Sequence, residues 1–185
     1  MAYKILASDT GSESVFQWDV ASGEYLGQFV SEDPTRLRNP DSLTSDIFGN
    51  VYVAYSGDKG REATVRKYDA DGNKINDVAR FGESLEWLSG IETDANGETY
   101  VLDKQFGFNG GMLYRYDGVS GTDSTPSDNV YIESDEWGFS SRRMLSFDME
   151  TGPDGNFYLP SVGSHDILNF QAPNGDPMTN FGEVF

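Results

Sequence analysis

Short apolar and aromatic runs recur along this chain, each bracketed by glycine, aspartate or asparagine. Val51-Tyr52-Val53, Tyr100-Val101-Leu102 and Phe157-Tyr158-Leu159 each follow a turn-type segment carrying Gly49, Gly97 or Gly155. β-Branched and aromatic triplets between turn signals predict strands. A second run answers each of them and ends in an aromatic residue and another turn: "VRKYDADG" from Val65, "LYRYDGVSG" from Leu113 and "ILNFQAPNG" from Ile167. Alternation at Tyr114/Tyr116 and Leu168/Phe170 places one face of these strands in a core. Upstream, "SLTSD", "SGIETD" and "LSFDMETG" lead into the glycine turns, and "INDVARFG", "NVYIESDEWG" and "PMTNFG" close each unit. No window repeats apolar residues at i, i+3, i+4 and i+7 over three turns, so helices are not expected, and "GESLEWLSG" around Leu85 is read as a loop.

The turn glycines thus mark a repeat of roughly 50 residues, lengthened once by the polar stretch "GTDSTPSDN" at 121–129. Four hairpin-linked antiparallel strands per repeat is the pattern of propeller blades. The N-terminal segment supplies three strands of one more unit: "KILASD" matches a second strand, "VFQWDVASG" a third and "EYLGQFV" a fourth. The reading is an all-β chain, a β-propeller-like array of about four blades of four antiparallel strands, the first blade lacking its innermost strand. It forms a single domain over residues 1–185, with units at about 1–38, 39–84, 85–140 and 141–185.

"NPDSLTSDIFGNVYVAYS" joins a proline, a small-apolar stretch, an aspartate, a glycine-asparagine turn and a strand. In this it resembles the NHL-type repeat of six-bladed propellers and, more distantly, the streptogramin-lyase and gluconolactonase-like propellers. The resemblance implies about six blades in a closed object, more than this chain holds. In the lyase-like members it implies a catalytic histidine near the central channel; the one histidine here, His165, falls between the second and third strands of the last unit, which does not match. In the gluconolactonase-like members it implies a divalent metal held in the channel by Glu, Asn and Asp. The positions entering the inner strands here are Asn39, Asp41, Glu86, Ser89, Arg142 and Arg143. Of these, Asp41, Glu86, Arg142 and Arg143 are the channel or partner-contact candidates.

Composition narrows function more than fold. Thirteen basic residues against 31 acidic give a net charge of −18, which repels a phosphate backbone and argues against nucleic acid as a partner. The absence of cysteine removes disulfides, thiolate metal sites and a cysteine nucleophile. No stretch approaches the roughly 20 apolar residues of a membrane span, and "MAYKILASDTGSES" lacks the apolar run of a signal peptide. An extracellular or surface assembly is favoured over a cytoplasmic setting.

Asp69, Asp71 and Asn73 in "YDADGN" stand at alternate positions, the spacing with which a loop offers oxygen ligands to calcium. A closing glutamate is missing from "KINDV", and Asp-Gly-Asn is equally a hairpin turn. Calcium at these three residues is the one cofactor considered, beside the reading in which the chain needs none. Ser140 and Ser141 lack a positioned base, and no GxSxG, P-loop or HExxH occurs. "FGFNGGM" at 106–112 is a glycine-rich loop between strands, with Phe106 and Phe108 as partner contacts.

An open stack of blades leaves sheet edges and apolar faces uncovered. The expected function is therefore a non-enzymatic structural or interaction subunit that associates with further copies or a partner protein through open blade edges. The alternative is part of a six-bladed lactonase- or lyase-like hydrolase with a metal in its channel.

Overall fold

A computed structural model of the chain describes residues 3–30, 39–57, 63–80, 88–103, 112–117, 130–132, 148–161, 166–170 and 181–183. These residues form antiparallel sheets and no helix. The first sheet has three strands, β1 (Lys4–Asp9), β2 (Ser14–Asp19) and β3 (Tyr25–Val30), in that order. The second has four, β4 (Pro40–Ser45), β5 (Val51–Tyr55), β6 (Thr64–Tyr68) and β7 (Lys74–Arg80). The third runs β8 (Leu88–Thr93), β9 (Glu98–Asp103), β10 (Met112–Asp117) and β11 (Val130–Ile132), and the fourth β12 (Glu150–Thr151), β13 (Phe157–Ser161), β14 (Asp166–Phe170) and β15 (Phe181–Glu183). Strands neighbour one another in chain order throughout, as up-and-down hairpin linkage requires.

One turn joins the first two strands in each of the last three sheets and recurs after β6. Asp46 N–H donates to Asn50 O and Gly49 N–H to Asp46 O; the same pair of bonds closes Asp69–Asn73, Asp94–Glu98 and Gly152–Asn156. Each turn needs a positive φ at its glycine, 83° at Gly49 and 85° at Gly72, a conformation that costs an L-residue about 1 kcal/mol or more. In three of the four, the leading aspartate caps the turn: Asp46 Oδ1 accepts from Phe48 N–H and Asn50 N–H, Asp69 Oδ1 from Asp71 N–H and Asn73 N–H, Asp94 Oδ1 from Asn96 N–H and Glu98 N–H. Gly152 holds that place in the last turn, where Asp154 takes over the capping by accepting from Asn156 N–H at 3.1 Å, and its other oxygen accepts from Tyr158 Oη at 2.8 Å.

The sheets stack face to face in chain order. Val15, Phe29 and Val30 pack on Val51, Val53, Tyr55 and Tyr68 between the first and second sheets. Tyr52, Ala54, Val65 and Ala79 meet Leu88, Ile91, Val101 and Tyr114 between the second and third, and Tyr100, Leu102 and Leu113 meet Phe157, Leu159, Leu168 and Phe170 between the third and fourth. Both faces of a middle blade are therefore buried, which explains why β5 reads as an unbroken apolar run and has all five residues buried. The leading strands come together at one end of the blades, with β1 beside β4, β4 beside β8 and β8 beside β12.

Two elements start elsewhere than the sequence pattern suggests. The second sheet's leading strand begins at Pro40, upstream of "SLTSD", through an irregularity between Pro40 and Ser42. The last strand forms at Phe181–Glu183, on the aromatic-glycine pair itself.

Candidate functional site

The leading strands enclose an open pocket of about 240 Å³, lined by Ser8 of β1, Asp41, Ser42 and Leu43 of β4, Ser89, Ile91 and Glu92 of β8, and Asp148, Met149 and Glu150 at β12. Glu92 is one of its carboxylates. Thr44 Oγ1 from β4 and Thr151 Oγ1 from β12 each donate to Glu92 Oε2 at 3.4 Å, so one carboxylate links three sheets. Burial, and then the charge of Glu150, push the Glu92 carboxyl up from 4.5 to about 7, against hydrogen bonds from the Thr93 backbone, Thr151 and Thr44. Glu92 and Glu150 have a signal in the sequence: with Thr44 they hold equivalent register, opposite Tyr100, Tyr158 and Tyr52 on the second strands. Aligning the turn glycines would have put all three at one level of the leading strands.

Of the channel candidates, Asp41 lies in this pocket. It accepts a short hydrogen bond from Ser56 Oγ, which also accepts from Leu88 N–H at 3.0 Å and so ties the second sheet to the third. Ser89 lines the pocket as well. Glu86, Arg142 and Arg143 lie outside the described residues, as do His165, Ser140, Ser141, Phe106 and Phe108.

Asp69, Asp71 and Asn73 sit together in the exposed turn after β6. Asp69 Oδ1 accepts from the amides of Asp71 and Asn73, and Asp69 Oδ2 from Asn73 Nδ2 at 2.9 Å. The Asn73 side chain first, and then these amides, hold the Asp69 carboxyl below its ordinary value. Both carboxylate oxygens thus point at N–H donors of their own turn. Among the described residues, no group of three or more His, Cys, Asp or Glu side chains has the arrangement of a metal site.

The first sheet has a different character on its two faces. Val15 and Phe29, with the partly buried Leu6, pack on the second sheet. On the other face, Ile5 lies opposite Trp18 and Ala7 opposite Phe16, while Trp18 lies opposite Tyr25. The three rings form a cluster, with centroids 6.3 Å apart for Phe16 and Trp18, 5.5 Å for Trp18 and Tyr25, and 6.1 Å for Phe16 and Tyr25. Nothing described covers them: Ile5 is 56% exposed and Tyr25 53%. Among the described residues strand β1 is also a sheet edge, paired with β2 alone, and none of its residues is buried.

Comparison with known proteins bears on the fold. No family model matches the chain, and no curated protein matches it in sequence. Solved structures do match. A chain of a nidogen/laminin complex superposes with a TM-score of 0.69 at 14% identity, over 97% of this chain and 59% of that one. The calcium-binding protein regucalcin from Agrobacterium tumefaciens gives 0.61 at 13% identity, over 96% and 56%. Streptogramin B lyase gives 0.59 at 12% identity, over 96% and 50%. These distant similarities establish a β-propeller fold, of which the chain spans between half and three-fifths of the neighbours' length. Propellers of this kind include enzymes and interaction proteins. No helix among the described residues is long and apolar enough to cross a membrane.

Proposed function

We propose that this chain is a structural or interaction propeller subunit that associates through its first sheet with a blade of a further copy or of a partner protein. The observation that carries this reading is the aromatic face of that sheet, where Phe16, Trp18 and Tyr25 lie beside exposed Ile5 with no blade of the described residues against them. In the second, third and fourth sheets the equivalent face is packed on the preceding sheet. Contiguous exposed apolar surface on a sheet favours association, and the geometry of blade-on-blade packing is already in the repeat.

Association between copies works against their charge of −18 each, so it strengthens as salt screens that repulsion. Light scattering across concentration and ionic strength tests the reading. The expected result is a mass that rises above 20.5 kDa with both variables, and that falls back in a Trp18→Ser, Tyr25→Ser double variant. A strict monomer at every concentration and salt contradicts it.

A further inference from the structure

Strand β1 offers a second kind of contact, made by its backbone. In the other three sheets the second strand, β5, β9 or β13, is flanked on both sides, whereas β1 has β2 on one side and no described strand on the other. An exposed edge of this sort is a row of peptide donors and acceptors ready to pair with an extended chain. The repeat fixes what would fit there: β4 and β8 are six residues each and antiparallel to the strand they flank. The place adjoins the inner-strand pocket, because Ser8 of β1 is part of that pocket's lining. Among the described residues the lining carries Asp41, Glu92, Asp148 and Glu150 and no Lys, Arg or His. Burial first, and then the charge of Glu150, hold a proton on Glu92 more tightly than usual, and a neighbouring cation relieves the second of these.

We infer that the open edge of β1 accepts an extended basic strand of about six residues from a partner chain, its cationic side chains entering the pocket beside Glu92 and Glu150. This rests on the interaction reading above and names the chemistry of the partner. Main-chain hydrogen bonds to β1 supply affinity that any sequence shares, and the sign of the pocket's charge selects among sequences. A second copy, carrying −18 itself, is a poor donor at this edge even where its apolar blade packs on the aromatic face.

Calorimetric titration of the whole chain with three capped octapeptides separates the elements of the inference. The first alternates valine and lysine, the second alternates valine and glutamate, and the third is the lysine peptide N-methylated at alternate residues, which keeps its charge and removes its strand-pairing amides. At about 50 mM salt, the lysine peptide should bind at least about tenfold more tightly than the glutamate peptide. N-methylation should abolish the binding, and a Glu92→Gln, Glu150→Gln double variant should weaken it several-fold. Equal affinity for the two charge types, or no binding of the lysine peptide, overturns the inference. Undiminished binding of the N-methylated peptide does so too, because it reduces the effect to attraction by an acidic surface. If the chain still self-associates while the lysine peptide fails, the strand inference falls alone; a monomer that also ignores the peptide removes both readings.

Discussion

Gly49 and Gly72 occupy the same corner of the same turn, with φ of 83° and 85°, yet their surroundings differ. A side chain at Gly49 would meet nothing within 4 Å, while one at Gly72 would run into the backbone carbonyl of Phe29 on the first sheet. Both alanine variants carry the left-handed backbone cost of about 1 kcal/mol. Gly72→Ala adds the expense of parting two sheets, roughly 1 to 3 kcal/mol more, and its urea midpoint should be the lower of the two. Glu92 has a pH signature. Its carboxyl rises from 4.5 to about 7 on folding, so the folded chain binds the proton more tightly than the unfolded one. That contribution to stability is complete below pH 4.5 and is lost as pH rises through 7. The thermal midpoint of the wild type should therefore decline from pH 4.5 to 7 relative to Glu92→Gln, which keeps the side chain uncharged. A constant difference across that range would place the proton elsewhere.

Within single elements, the second sheet holds a buried ion pair. Arg66 on β6 stands opposite Asp77 on β7, with Nε 2.5 Å from Oδ1 and both side chains almost wholly covered, and Lys74 Nζ approaches the same carboxylate at 3.1 Å. Removing one member of a buried pair costs about 3 kcal/mol, so Asp77→Ala should unfold in urea well before Lys74→Ala, whose ammonium is 43% exposed. The strands themselves were legible from residues, because β-branched and aromatic triplets beside Gly49, Gly97 and Gly155 encode a local hairpin. The three-stranded first sheet was legible for the same reason, as a pattern that lacks one member. Arg66 and Asp77 were not, since an arginine inside a strand betrays its burial only when the second face of the sheet is known to be covered. In the pocket, Asp41 stands out in the sequence by its place at a strand entrance, and the glycine alignment puts Glu92 and Glu150 at one level, but that the two share a pocket follows only when β8 and β12 are brought beside β4.

Among the described residues three interfaces between sheets are filled, and the outward faces of the first and fourth sheets have no sheet against them. The second, third and fourth sheets each contribute a leading strand to the pocket, and the first contributes the flank of β1. The first sheet has one described strand fewer than the others, so that the described edge of β1 and the aromatic face lie on the same sheet. Hydrogen exchange of β1 against β5 at low and high protein concentration is the most direct test that this sheet is the association surface. The β1 amides bonded to β2 should exchange faster than those of Val51–Tyr55 in dilute solution and slow as concentration rises, because covering the aromatic face suppresses opening of the first sheet, with Val51–Tyr55 protected throughout. If β1 exchanges as slowly as β5 in dilute solution, or stays fast at every concentration while the chain associates, the first sheet is not that surface.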